Sequence, residues 1–470
     1  MKEFPIADLV TITRAELRAP HEVKDSSCFI DVSTDSRTTK TGDCFFAIAG
    51  ENFDGHDYVG DAFSKGAVCA VVSKNIDDEK AAGKYLLKVE DTVRALGELA
   101  REYRRQSGYK VIAITGSAGK TTTRQIIYHT LSRRFSVHQS PKSFNNQIGV
   151  PLTLLGAGIE DRIVIAELGS NHPGEISYLT RIAEPDIAVV TNVHPAHLEG
   201  FGDLQTIIRE KLSISEGLKP DGVLIINGDF DQLLDACRAK GLKFKTFGKF
   251  DGCDYQAGNF HPDGPSSRFT IDGMELYLPL PGAGNVENAL AAWAVCSQLG
   301  LAISDFTQSI ETLSPVSMRS EILQIGTLTV LSDCYNANPA SMRNALEILA
   351  NLNPTGRRRL VFICGDMAEL GPQTEHLHTE LGRNIVQAGV KLLLAVGCFA
   401  KITAEAARAN ADNYLQIKCF EDTASACNNL HEFIKDYDII LVKGSRVAKL
   451  EVVIDKLKEV FSQSLSREAR

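Results

Sequence analysis

No run in this sequence approaches the eighteen or so consecutive apolar residues that a bilayer-spanning helix needs, so a helical membrane protein is excluded. Positive charge is in deficit. Lys and Arg number 50 against 59 Asp and Glu, a net charge of -9, whereas a nucleic-acid binder carries a basic face. If the substrates are anionic, their positive partners must be local. The eleven cysteines are scattered, odd in number and free of Cys-x-x-Cys pairs, which predicts buried thiols in a reducing cytosol. Cys28, Cys69, Cys296 and Cys364 lie in apolar surroundings and read as core fillers. The start, Met1-Lys2-Glu3-Phe4-Pro5, lacks the basic and apolar regions of a signal peptide, so a cytoplasmic location is expected. Internal repeats and low-complexity segments are also missing.

What is present suits a large α/β enzyme. At 470 residues the length predicts about three domains, and 44% hydrophobic with 23% charged residues is ordinary for globular chains. Residues 1–107 mix short strand-like runs, such as Cys44 to Ile48 and Ala67 to Val72, with Gly and Asp turns, and end in a charged helix from Thr92 to Gln106. Residues 108–313 alternate strands (Val111–Thr115, Ile163–Glu167, Ile187–Thr191, Val223–Ile226) with helices. That rhythm predicts a mostly parallel sheet with helices on both faces. Residues 314–470 repeat it with Thr329–Leu331, Leu360–Cys364, Leu392–Val396 and Ile439–Val442, and with helices over Ala340–Leu352 and Glu375–Gln387. The tail after Ser462 is charged and expected to fray.

The chemistry concentrates after the first strand of the middle segment. Gly116-Ser117-Ala118-Gly119-Lys120-Thr121-Thr122 places a glycine turn between a buried strand and a helix start, the arrangement that cradles phosphates on backbone N–H groups. Lys120 would reach the terminal phosphates and the Thr121 hydroxyl would sit on Mg²⁺. The common pattern has a glycine where Ile114 stands, so the loop is of a shorter, narrower type. Glu167 ends one neighbouring strand, and Thr191-Asn192-Val193-His194-Pro195-Ala196-His197 follows another, which predicts both groups beside the loop at adjacent strand ends. Alone, Glu167 reads rather as a turn cap and His197 as a structural histidine, but beside a phosphate loop a carboxylate and an imidazole suit a divalent cation.

The phosphate loop, Ser143 to Pro151, Glu167 to Glu175 and Thr191 to Gly202 together resemble the Mur ligase family, ATP-dependent amide-forming ligases of peptidoglycan precursor synthesis. The resemblance extends from Asp35-Ser36-Arg37 and Gly50 to His56 through to Val442-Lys443-Gly444-Ser445-Arg446. Asp333 to Pro339 and Gly365 to Gly371 are similar to the members that add D-alanyl-D-alanine to UDP-N-acetylmuramoyl-tripeptide; the Asp-Asn-Pro-Arg motif of the diamino-acid-adding members does not occur. The family implies a smaller N-terminal α/β domain for the uridine nucleotide, a central mononucleotide-binding domain and a C-terminal Rossmann-like α/β domain that closes over ATP.

The resemblance also implies roles. Lys120 and two Mg²⁺ ions would neutralise charge moving from ATP to an acyl phosphate, with Thr121 holding one ion and Glu167, His197 and Lys211 the other. Lys211 would be carbamylated by CO₂; read without the resemblance, it is a surface lysine on a helix beside Glu210. Asn288 would meet adenine, and Arg319 and Asp333 the phosphates and ribose. Ser36 and Arg37 would contact the uridine diphosphate end, although Asp35-Ser36-Arg37 alone is an ordinary polar turn. Asn145, Asn146, Asn171 and His172 would line the channel to the reacting carboxylate. Arg446 would fork onto the D-alanyl-D-alanine carboxylate, or serve as a structural salt bridge. The other readings are a sister ligase of diamino-acid-adding or folylpolyglutamate type and a nucleotide switch; no Asn-Lys-x-Asp for guanine occurs. A monomer is expected.

Overall fold

A strand covered on both faces needs a continuous apolar run, and Lys110–Thr115 supplies one: Val111, Ile112, Ala113 and Ile114 are fully buried. In the computed structural model, which describes residues 1–18, 27–77, 81, 83–411 and 414–462, this strand lies inside a nine-stranded sheet. The strand order is Met274–Leu278, Ser266–Ile271, Tyr255–Asp263, Lys245–Gly248, Val223–Asn227, Ile187–Val190, Lys110–Thr115, Ile163–Glu167 and Val137–Gln139. Pairing is parallel from Tyr255–Asp263 onward, and the two strands beyond it at that edge are antiparallel.

Among the described residues, a five-stranded sheet precedes it in the order Glu16–Arg18, Tyr85–Lys88, Cys69–Val72, Asp43–Phe46 and Asp31–Ser33, parallel except for its first pair. A six-stranded sheet follows, Glu321–Ile325, Leu328–Ser332, Ile439–Lys443, Leu360–Gly365, Leu392–Val396 and Gln416–Phe420, also parallel except for its first pair. The three-domain α/β architecture expected from the alternating strands and helices is the one observed. The expected strands and helices are present with ends displaced by a residue or two; Pro339–Asn351 starts one residue early because Asn338 and Ser341 form a capping box ahead of it. The three strands from Tyr255 to Leu278 and the edge strand Glu321–Ile325 were not anticipated. The charged tail after Ser462 lies outside the described residues.

Period-two alternation divides the apolar side chains between faces. Val111, Ala113, Val164 and Val190 join one core that continues through Leu96 and Leu99 of the helix Thr92–Gln106 to Phe4, Phe29 and Phe46 beside the first sheet. Ile112, Ile114, Ile165 and Val189 face the opposite way, against the helices Lys120–Leu131 and Ala283–Gln298. The helix Thr92–Gln106 is capped by Asp91, which accepts from the N–H groups of Val93 and Arg94. Near its other end the buried Arg104 pairs with Asp186 at 2.7 Å and donates to the carbonyls of Ala183 and Tyr109. The first domain is therefore joined to the central sheet by both apolar and ionic contacts.

All eleven cysteines are free thiols. Cys69, Cys296 and Cys364 fill core positions as expected, but the expectation fails in part: Cys28 is half-buried because it sits in the two-residue strand Cys28–Phe29, and Cys398 is exposed in the turn after Leu392–Val396. No described helix is long and apolar enough to cross a membrane.

Candidate active site

The strand Lys110–Thr115 turns at Gly116 (φ 147°) and Gly119 (φ 79°) into the helix Lys120–Leu131. A Cβ on Gly116 would stand 2.0 Å from Thr191 Oγ1, and one on Gly119 would stand 2.1 Å from Asn288 Oδ1. Both positions therefore need glycine for conformation and for space. Around this turn opens a cavity of about 1020 Å³ whose wall includes Ser117, Ala118, Gly119, Lys120, Thr121 and Thr122. Lys120 Nζ donates to the Gly116 carbonyl at 2.7 Å, and loss of hydration lowers its pKa.

Ile163–Glu167 and Ile187–Val190 both pair with the loop's strand, one on each side. Glu167 ends one of these neighbouring strands and His197 follows the other, so both lie beside the loop as expected, flanking it from opposite sides. The Glu167 carboxylate is almost fully buried. It accepts from Thr121 Oγ1 at 2.9 Å and Asn145 Nδ2 at 3.0 Å, and Arg124 lies 3.8 Å away. Its partners are thus the phosphate-loop helix and the Asn145 loop, not the turn that follows it. Arg124 also donates to the carbonyls of Ser140 and Lys142, which ties that loop to the same helix.

Lys211 is only 2% exposed, which overturns its reading as a surface lysine. It lies on the helix Leu204–Leu212, whose cap Asp203 accepts from the Thr206 N–H. Its Nζ donates to Ser170 Oγ at 2.8 Å and stands 5.5 Å over the Phe201 ring. Burial, with the Lys120 charge next in weight, brings the ammonium pKa down to about 7. Ser170 itself lines the cavity. Neighbouring Glu210 does not neutralise Lys211 by contact; it accepts from the N–H groups of Gly174 and Ile176 at the start of the helix Glu175–Ala183.

The last domain supplies the opposite wall. Asp333 accepts from the Ser320 N–H at 2.9 Å and from Lys443 Nζ at 2.5 Å. Arg319 and Arg446 stand 4.3 and 5.7 Å from the Tyr335 ring centre, and Arg446 also pairs with Glu451 at 2.9 Å. Asn338 Nδ2 donates to the Ser117 carbonyl at 3.4 Å, a direct bond from the last domain to the phosphate loop.

Of the residues singled out from sequence, Asn145, Asn146, Asn171, Glu167, His197, Asn288, Arg319, Asp333 and Arg446 share this cavity wall. His172 is exposed beside Glu175, 3.9 Å away, and outside the lining. Ser36 and Arg37 lie apart in the first domain, with the Ser36 carbonyl accepting from Lys65 and Arg37 paired with Asp35 at 2.7 Å. Sequence reasoning assigned no role to Arg124, Ser170, Tyr335, Asn338, Glu369 or Lys443. For Lys443 a signal existed: a cation ending the buried run Ile439–Val442 must find an anionic partner.

A cation held between this protein and a phosphate fits the donors present. The Thr121 hydroxyl and Glu167 carboxylate are hard oxygen ligands, and no group of three or more His, Cys, Asp or Glu among the described residues forms a protein-only cage.

The descriptions of the Mur ligase family catalytic domain, the Mur ligase middle domain, and the Mur ligase glutamate ligase domain match residues 31–104, 114–296 and 318–446. The chain is 35% identical over 431 residues to UDP-N-acetylmuramoyl-tripeptide–D-alanyl-D-alanine ligase of Bacillus subtilis, covering 91% of this chain and 93% of the relative. A crystal structure of MurF from Acinetobacter baumannii superposes with a TM-score of 0.88 at 31% identity, over 98% of this chain and 99% of that one. MurF ligase from Thermotoga maritima, solved in complex with ADP, gives 0.79 at 26% identity over 92% and 98%. With its phosphate loop set between those strands, and the likeness running through nearly all of each sequence, the chain belongs to the Mur ligase family.

Proposed function

We propose that this chain is an ATP-dependent ligase that joins D-alanyl-D-alanine to UDP-N-acetylmuramoyl-tripeptide, giving the pentapeptide, ADP and phosphate in peptidoglycan precursor synthesis. The supporting observation is the single cavity in which the phosphate loop, buried Glu167 and the last-domain residues Arg319, Asp333 and Arg446 meet. The ADP complex of the Thermotoga maritima relative supports ATP as the nucleotide. Residues 1–107 would bind the uridine diphosphate end through Ser36 and Arg37, residues 108–313 the ATP, and residues 314–470 the incoming dipeptide. Each role falls within one chain, which agrees with a monomer, and a cytoplasmic enzyme fits such soluble substrates.

Amide formation from a carboxylate needs a better electrophile. The tripeptide carboxylate attacks the terminal phosphorus of ATP, ADP leaves, and the dipeptide amine then displaces phosphate from the acyl carbon. Backbone N–H groups of Gly116 to Thr122 hold the phosphates and Lys120 follows the charge as it moves. Asn288 holds adenine, while Asp333 and Arg319 hold ribose and phosphate. Asn145, Asn146 and Asn171 guide the tripeptide arm. Thr121 would hold one Mg²⁺ and Glu167, His197 and Lys211 a second, and the bound ions would supply Lewis-acid stabilisation of phosphate charge. Lys211, with its pKa brought to about 7, keeps a share of neutral amine that can add CO₂ and lose a proton, becoming an anionic oxygen ligand. Arg446 takes the dipeptide carboxylate, and its fork can exchange Glu451 for that group. Closure of the last domain excludes water from the acyl phosphate.

The test is phosphate release and product mass with ATP, Mg²⁺ and UDP-N-acetylmuramoyl-tripeptide, with and without D-alanyl-D-alanine. A product heavier by the dipeptide, formed only with both substrates, is expected. Product from a single amino acid and a shorter precursor would move the chain to a sister ligase.

A further inference from the structure

Two non-glycine residues with left-handed backbones face each other across the boundary between the central and last domains. His197 has φ 53° and Glu369 has φ 60°, conformations uncommon in side-chain-bearing residues. Their side chains touch, Glu369 Oε2 against His197 Nδ1. The same two segments are joined again through the backbone, where the Glu199 N–H donates to the Glu369 carbonyl at 3.1 Å. Beneath them Leu198 and Phe201 of the central domain are buried in one apolar cluster with Met367 and Leu370 of the last. Gly371 packs against Glu199 so closely that a Cβ there would lie 3.2 Å from its Cα. The His197 segment is thus seated on the Gly365 to Gly371 turn by apolar contact, a backbone bond and a side-chain pair.

We infer that Glu369 is a positioning residue: by accepting a hydrogen bond from the Nδ1–H of His197 it fixes the imidazole tautomer and leaves Nε2 as the ligating nitrogen in the phosphate-loop cavity. The inference rests on the reading of His197 as a cation ligand. A ligating histidine characteristically donates its other ring N–H to a carboxylate, which sets the ring's orientation and raises its basicity. The carboxylate here comes from the domain that carries the dipeptide-binding wall, and both residues line the cavity. Docking of that domain therefore completes a ligand on the other side of the joint.

The test uses the full chain with ¹⁵N-labelled histidine in bicarbonate buffer, the His197 signals being assigned by their loss in His197→Gln. Wild type is expected to show a protonated Nδ1 and a bare Nε2. Glu369→Ala should lose that tautomer and bind Mn²⁺ at least about tenfold more weakly. Glu369→Gln, whose amide oxygen still accepts a hydrogen bond from Nδ1–H, should keep the tautomer. A purely structural latch would leave the tautomer of Glu369→Ala unchanged. Retention of the Nδ1–H signal in Glu369→Ala, or Mn²⁺ affinity within twofold of wild type, overturns the proposal. Dipeptide ligation by the wild type, measured alongside, tests the reaction independently of Glu369.

Discussion

Replacing Lys211 by methionine should make the CO₂-free protein more stable while destroying its activity. Lys211 is buried, and its ammonium is held at about 7 against an ordinary 10.5. That gap corresponds to about 5 kcal/mol at ~1.4 kcal/mol per pH unit, the cost of keeping the charge inside the folded chain. The sign follows from proton counts. Below about pH 7 both states are protonated and the full cost applies. Between about 7 and 10.5 the unfolded chain binds the extra proton, so wild-type stability rises with pH towards that of Lys211→Met. Methionine fills a similar volume without charge, so the variant should lead by several kcal/mol at pH 6.5 and lose that lead by pH 10. Native-state hydrogen exchange of the helix Leu204–Leu212 across that range, in CO₂-free buffer, reads the local difference without assuming that the whole chain unfolds in one step. A difference that does not vary with pH would refute the assignment of a buried, depressed lysine. Turnover of Lys211→Ala should be nearly abolished and recover in part with a small carboxylic acid.

Gly119→Ala places a Cβ 2.1 Å from Asn288 Oδ1 at a left-handed φ; a stability loss of about 1–3 kcal/mol and loss of ATP binding by calorimetry are expected. Arg446→Ala should raise KM for the dipeptide at least about tenfold with little change in KM for ATP, since a charge-assisted fork contributes about 1.5–3 kcal/mol; steady-state kinetics decides it.

The parallel strands and the phosphate loop were legible because each is encoded locally, by an unbroken apolar run ending in glycine or a polar group. Tyr255–Asp263 escaped because much of it is solvent-facing and it lacks such a run; its partners complete it, not its own sequence. The pairing of Glu369 with His197 escaped for a different reason, since 172 positions separate them and only domain docking brings them together. Lys211 shows the limit of local reading most plainly. Its neighbours in sequence resemble those of any exposed helix, while its environment is made by Phe201 and Ser170, which come from other elements.

The core shared by the first and central domains has a consequence for which molecules can react. Phe4, Phe29 and Phe46 belong to the same apolar body as Val111 and Val164, and Arg104 pins the connecting helix to Asp186. The span from the first domain to the phosphate loop is therefore built as a fixed length. On the proposed function, a substrate anchored in the first domain would present its reactive group at the phosphate loop only when its own length matched that span, and the shared core would act as a gauge of reach.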